Sequence, residues 1–362
     1  MPLPSPEPIG LPAPAWLLQF LLVLTFSLHL VPMTLTVGGT IMAAEMEIWG
    51  RLRTGGQHRR LAAALWGVLP TITAFTITLG VAPLLFVQLL YPKFFYPASV
   101  LTGWSWMGVI VLLIVGYGGL YLQKLSDPAS RLRPWTGLVS LLCFLGVSAI
   151  YVSTMSLTTA PEAWKGMYAA NQAGLHFYFQ FPRWLHIFFG TTAMAGALAI
   201  LLGHLTQDKG LSRLARQVGL KWLSLSVALE VVITPWFLNS LSQTARSGLI
   251  PLLLWVVGGL AILSYVIFLL AERTGHNPLL ACLGMGSLTL GGVGLAVQRH
   301  LVRQTVLGQF LVPDDWKLNP QWDVFAIFAV MLVVAIGLIG YLTYRFYKPA
   351  TETRKATHHS VG

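Results

Sequence analysis

Charge is what this chain has least of. Only 10% of its 362 residues are Asp, Glu, Lys or Arg, and the acidic ones number 12. So small a polar complement cannot coat a soluble globule of this length, which excludes water as the main solvent of the fold. Cysteine is also scarce: Cys143 and Cys282 lie in apolar stretches outside any C-x-x-C or C-x-x-C-H pattern. No disulfide framework, zinc site or covalently attached haem is implied. The chain has no Gly-rich phosphate loop, H-E-x-x-H helix or nucleophile elbow, so ATP hydrolysis and intramembrane proteolysis lack support. It also has no pair of similar halves with broken helices, which counts against a secondary transporter.

What the chain does have is apolar length. Of its residues 55% are hydrophobic, and stretches of about 20 or more recur, each able to cross a hydrocarbon layer about 30 Å thick. Nine are expected, at 16–44, 61–91, 100–122, 135–157, 184–205, 218–241, 249–270, 279–297 and 324–344. The expected fold class is all-α, a polytopic membrane bundle over 1–348, followed by a disordered cytoplasmic tail at 349–362. The leader before Trp16 has no positive charge and the first apolar stretch is long, so it reads as a retained span and not a cleavable signal.

The net charge of +11 would suggest nucleic acid if it were clustered, but it follows alternate loops. Arg51, Arg53, Arg59 and Arg60 fall in one loop, Lys124, Arg131 and Arg133 in the next of the set, then Lys209, Arg213, Arg216 and Lys221. Arg273 follows, and the end of the chain adds Arg345, Lys348, Arg354 and Lys355. Excess Lys and Arg mark the cytoplasmic side, which puts the amino terminus outside and the carboxyl terminus inside a bacterial plasma membrane. Two longer segments, 158–182 and 300–323, then lie outside, where Trp164, Trp184, Trp236, Trp316 and Trp322 crowd the boundary as interfacial anchors do.

An ionisable side chain within a membrane is costly and asks for a reason. His186 opens the fifth span, and Gly190, Ala193 and Ala197 follow on its face. A flat strip of that kind suits a planar macrocycle with imidazole as axial ligand, or else a helix-packing surface. Arg183, one turn earlier, would pair with a haem propionate or anchor the helix end. His300, with Arg299 and Arg303 beside it, ends the eighth span at similar depth, as a second axial ligand or as a solvated histidine. His29 is deeper in the first span and needs a metal or a hydrogen-bond partner, for which Thr25 is one turn away. His204 lies on the His186 face at the other end of its helix, suited to a second haem or to the headgroup region. Glu230 has no basic residue in reach on its own helix, which suits a proton or quinone contact, or a hydrogen bond to a neighbouring helix.

These residues resemble a known family, subunit I of the cytochrome bd quinol oxidases. Leu18-Gln19-Phe20 followed by Leu30-Val31-Pro32-Met33-Thr34-Leu35 is similar to the family's opening motif, and Arg183-Trp184-Leu185-His186 to its basic residue and haem-ligating histidine. Nine spans with the amino terminus outside complete the likeness. The resemblance implies that His186 ligates a b-type haem near the outer face. It also shows departures: Ser27 stands where the family's oxygen-site histidine would be, the third and last spans carry no glutamate, and no methionine follows Arg246.

The expected function is therefore a haem-b membrane subunit, with one or two haems, that does not itself reduce oxygen. It would carry electrons between the quinol pool and a periplasmic partner such as a multihaem cytochrome c, within a lipid-embedded respiratory complex. A cofactor-free quinone-binding or scaffold subunit anchoring peripheral redox proteins is the alternative, and a transporter the third reading.

Overall fold

The computed structural model describes residues 10–52, 56–127, 130–170, 176–274, 277–313 and 316–359, the side chains of 343 and 346–359 excepted. Arg53 and the basic side chains from Lys348 onward therefore lie outside the described residues. The elements are helical: α1 (Ala15–Leu52), α2 (Gln57–Leu90), α3 (Pro92–Leu101), α4 (Gly103–Leu125), α5 (Arg133–Leu157), α6 (Pro161–Ala169), α7 (Phe181–Leu205), α8 (Lys209–Ser240), α9 (Leu249–Arg273), α10 (Pro278–Leu307) and α11 (Trp322–His359). Nine of the described helices are long and apolar enough to span a membrane, and they coincide with the nine expected stretches. The protein is a multi-pass membrane protein. The apolar part of α11 is Trp322–Leu342, and the helix continues to His359, through most of the stretch read from sequence as a tail.

Two short helices were not foreseen. Each starts with a proline in its first turn, where the missing N–H costs nothing. Both are too short to span. They interlock through Ala98, Leu101 and Leu157, against which Ala163, Trp164 and Met167 pack, and the Trp164 indole N–H donates to the Leu157 carbonyl at 3.0 Å.

The chain divides into two compact units, a main one over Gln19–Pro313 and a second formed within 8–18 and 314–362. In the second, Leu11 and Leu318 form a short parallel bridge, with Leu11 N–H donating to the Lys317 carbonyl at 2.9 Å and Asn319 N–H to the Leu11 carbonyl at 2.8 Å. Gly10 turns the chain into it with a positive φ of 88°.

In the main unit the helices pack chiefly as hairpins, α4 with α5, α7 with α8 and α9 with α10. Lipid tails supply no hydrophobic drive between apolar helices, so close backbone approach and interhelical hydrogen bonds hold them together. At Gly196 and Gly219 α7 and α8 touch backbone to backbone: a Cβ on Gly196 would lie 2.8 Å from the Gly219 carbonyl oxygen. Gly38 of α1 is tighter still, since a Cβ there would collide with the Thr191 carbonyl oxygen of α7. Between α9 and α10, Ser264 donates to the Gly284 carbonyl at 2.7 Å and Ser287 to the Leu260 carbonyl at 2.9 Å.

The basic loops meet at one end of this unit, where the few acids stitch them together. Glu47 pairs with Arg51 at 3.1 Å and with buried Arg133 at 3.6 Å. Arg51 also donates to the Ser130 carbonyl at 2.9 Å, which joins the α1–α2 and α4–α5 connections. Arg60 pairs with Asp208, and the same carboxylate caps α8 by accepting from Gly210 and Leu211 N–H at 2.9 Å.

Candidate functional site

Four side chains gather where α7 begins and α8 ends. Glu230, Thr234 and Phe237 are spaced four and three residues apart on α8, which places them on one face. His186 of α7 lies against that face. Its Nδ1 is 2.8 Å from Glu230 Oε2, the Thr234 hydroxyl donates to the same oxygen at 2.8 Å, and the Phe237 ring stacks on the imidazole at 5.1 Å with the planes 11° apart. An ionised carboxylate only accepts, so the pairing assigns a proton to Nδ1 and leaves the lone pair on Nε2. That Nε2 is buried and has no partner among the described residues, and the same holds for Glu230 Oε1. The two residues entered the sequence reading separately, and the fold makes them one unit.

The turn before His186 is fixed from the other side. Arg183 donates to Ser156 Oγ at 2.8 Å and the Trp184 indole to Ser148 Oγ at 3.1 Å, both on α5. Below His186 the strip of small residues divides. At Gly190 a Cβ would meet nothing within 4 Å. Ala193 and Ala197 instead pack in a core with Leu223 of α8, Phe268 of α9 and Ala281 of α10. A flat opening the length of the strip is therefore not present, and the free space is at the Gly190 level. Small residues there are explained by helix packing, which needs the same composition.

The other histidines go to different places. His29 donates from Nδ1 to the Thr76 carbonyl of α2 at 2.9 Å, while Thr25 bonds back to Leu21, so the partner is across the helix pair and not one turn away. Gly80 makes this possible: a Cβ on it would lie 2.8 Å from the imidazole Cε1. His204 is fully buried at the far end of α7, 3.2 Å from Glu272 of α9, which also binds Arg216 of α8 at 2.8 Å. His300 of α10 faces a small cavity, open to one side, with Arg299, Arg303, Tyr151 of α5, Phe26 of α1 and Pro83 of α2 in its walls. No residue of α7 lines that cavity. Among the described residues no group of three or more His, Cys, Asp or Glu is placed to hold a bare metal ion.

Sequence reasoning missed the buried aromatic hydroxyls. Tyr151 lines the His300 cavity, and the Tyr91 ring lies 5.4 Å beneath the Arg303 guanidinium. Tyrosine counts as apolar in a hydropathy profile, so neither residue stands out. The His186–Glu230 pairing did leave a trace. The two residues lie 22 positions before and after Asp208, the cap that turns α7 into α8. Residues about equidistant from a tight antiparallel connection stand at similar height, as do Thr192 and Ser226, which lie 16 before and 18 after Asp208 and are bonded at 2.8 Å.

By sequence, no known family and no curated protein matches the chain. Among solved structures it is similar to a chain in the structure of bd oxidase from Geobacillus thermodenitrificans. The TM-score is 0.67 at 11% identity, over 91% of this chain and 98% of that one. At so low an identity the likeness assigns the fold alone: this multi-pass helical bundle is built on the plan of a cytochrome bd oxidase chain.

Proposed function

We propose that the chain is a haem-b-carrying electron-transfer subunit of a respiratory complex in the bacterial plasma membrane. It links the quinol pool to a periplasmic redox partner, of which a multihaem cytochrome c is one class, with the amino terminus outside. The orientation rests on the basic loops, which share one end of the main unit. The observation that carries the haem assignment is the buried, partnerless Nε2 of His186. An imidazole whose other nitrogen is held by a carboxylate has the tautomer and orientation of a metal ligand. The open level at Gly190 leaves room beside it.

In this reading His186 is the axial ligand, Glu230 fixes its tautomer and raises its basicity, and Thr234 holds Glu230. A bound b-type haem would supply one-electron transfer. Arg183, one turn before His186 and bonded to Ser156 of α5, is available to a propionate. His29 is committed to packing α1 on α2, and His300 belongs to its own cavity, so neither is assigned to this centre. Quinol enters on the bd-oxidase fold, with Glu230 as the carboxylate closest in kind to a proton acceptor.

The filled strip at Ala193 and Ala197 favours a second reading, a cofactor-free quinone-binding or scaffold subunit. The optical spectrum of the purified protein separates the two. A b-type Soret band with a reduced alpha band, lost in His186→Ala and kept in His29→Leu, is the expected result. A wild-type protein with intact helices and no such band refutes the haem assignment. Glu230→Gln should retain the haem with about 10–100-fold weaker binding, the usual cost of losing a ligand's outer partner.

A further inference from the structure

The cavity beneath His300 has a cationic wall and an apolar wall, and among the described residues no acid answers the first. Arg299 and Arg303 are four apart on α10, so both cations project on one side, where like charges at this spacing repel. Arg303 is only 5% exposed. Its guanidinium lies over the Tyr91 ring, and the ion pairs formed by the described residues include neither arginine. His300 Nδ1 is buried there without a partner. The facing wall, by contrast, is made by Leu22 and Phe26 of α1 with Pro83 and Val87 of α2.

A buried guanidinium such as that of Arg303 without a counter-charge costs far more than a ring face returns, and Arg299 beside it adds to the cost. In the main unit the acids that pair with arginine are committed elsewhere: Glu47 to Arg51 and Arg133, Asp208 to Arg60, and Glu272 to Arg216. Among the described residues, then, no carboxylate compensates this wall. An anion alone would satisfy the arginines but would leave the apolar wall unused. We propose that this cavity is a binding site for the phosphate headgroup of an anionic phospholipid. The phosphodiester lies between Arg299 and Arg303, and the apolar part of the lipid lies along Phe26 and Pro83. Guanidinium suits this role because its planar fork meets phosphate oxygens two at a time, and His300 adds a third donor or acceptor at the same wall. None of His186, Glu230, Thr234 and Phe237 lines this cavity.

The full-length protein purified in a neutral detergent tests it in two measurements. The first is the phosphatidylglycerol that remains with each polypeptide, counted by mass spectrometry of the extracted lipid. The second is the shift of the thermal unfolding midpoint on adding phosphatidylglycerol, phosphatidylcholine or inorganic phosphate at equal concentration. Wild-type protein should retain phosphatidylglycerol and be stabilised by it alone. Arg299→Gln and Arg303→Gln should each weaken its binding by about tenfold or more, as loss of a buried charge partner does. Phe26→Trp leaves both arginines in place and fills the apolar wall. It should lower lipid retention in a protein that still folds, so an unstable arginine variant does not decide the matter. Equal stabilisation by phosphatidylcholine, equal protection by inorganic phosphate, or unchanged phosphatidylglycerol in the arginine and Phe26 variants would each overturn the proposal. Haem content, read on the same samples, should not change.

Discussion

His186 and Glu230 can be separated energetically by a double-mutant cycle. A buried hydrogen bond to a charged group is worth about 1.5–3 kcal/mol, and removing one member of a buried pair costs more, because the other is left unsatisfied. His186→Phe leaves Glu230 with the Thr234 hydroxyl as its only partner from this group. Glu230→Leu leaves both nitrogens of His186 buried against Phe237 and unbonded. Because the Glu230 side chain is 22% exposed, water recovers part of each loss. Each single change should therefore cost about 2–3 kcal/mol, below the range for a dry pair.

The double variant puts two apolar side chains face to face beside Phe237 and leaves only the Thr234 hydroxyl to find another acceptor, which the carbonyl one turn back supplies. Replacement of a whole pair in this way is often near neutral, so it should cost less than the sum of the single changes by about 2–4 kcal/mol. Equilibrium unfolding in mixed micelles of neutral detergent and sodium dodecyl sulfate gives all four stabilities. A group ligated by His186 would add its own Glu230-dependent stabilisation to the coupling, so the cycle is run on protein stripped of any such group. Additive single effects, within about 0.5 kcal/mol, would refute the claim that the two side chains form one unit.

Gly38→Ala places a methyl group on the Thr191 carbonyl, which belongs to backbone and cannot rotate away. It should lose about 2–3 kcal/mol by the same unfolding assay, whereas Gly67→Ala, with nothing near its Cβ, should gain about 0.5–1 kcal/mol from helix propensity. Asp208 is held below the usual carboxylate range, first by the Leu211 N–H and then by the Arg60 guanidinium. A lowered carboxyl adds stability that is complete above its unfolded pKa of about 3.9 and is lost as pH falls through the lower folded value. Asp208→Asn keeps a capping side chain but should lose this acid-side loss of stability, read as a flatter unfolding midpoint between about pH 5 and about pH 2.5.

The spans were legible because crossing a membrane is a property of one segment: its length and its apolar content decide it without reference to neighbours. The basic loops were legible for the same reason, since each contributes its charge independently. What the sequence hid is rotational phase. Whether His186 looks at α8, α5 or lipid depends on how α7 is turned, and that is set by Gly196 on Gly219 and Gly38 on Thr191, contacts between backbones far apart in the chain. The strip Gly190, Ala193, Ala197 was ambiguous on composition because small residues serve helix packing and a flat ligand equally well. Packing took two of the three. His29 shows the same limit. Its partner is a backbone carbonyl of α2, and the residue that makes room for it, Gly80, carries no side chain to announce it.

The two ends of α7 make the argument for the His186 site sharper. Each end presents a histidine to a glutamate of a neighbouring helix, His186 to Glu230 and His204 to Glu272. At the second, Arg216 stands 2.8 Å from the carboxylate and supplies the opposite charge, so the cluster is neutral with a neutral imidazole. At the first, no Lys or Arg among the described residues pairs with the carboxylate. A glutamate within an apolar bundle is costly unless compensated, and a proton on the pair, or the positive charge of the group proposed to bind at Nε2, would compensate the part that water at its exposed edge does not. Either makes this end responsive to what it binds, in a way that the Arg216 end is not. Placing a lysine or arginine at Thr234 should remove that response: it would supply the missing cation to Glu230 directly, lower haem retention, and leave the His204 cluster unchanged.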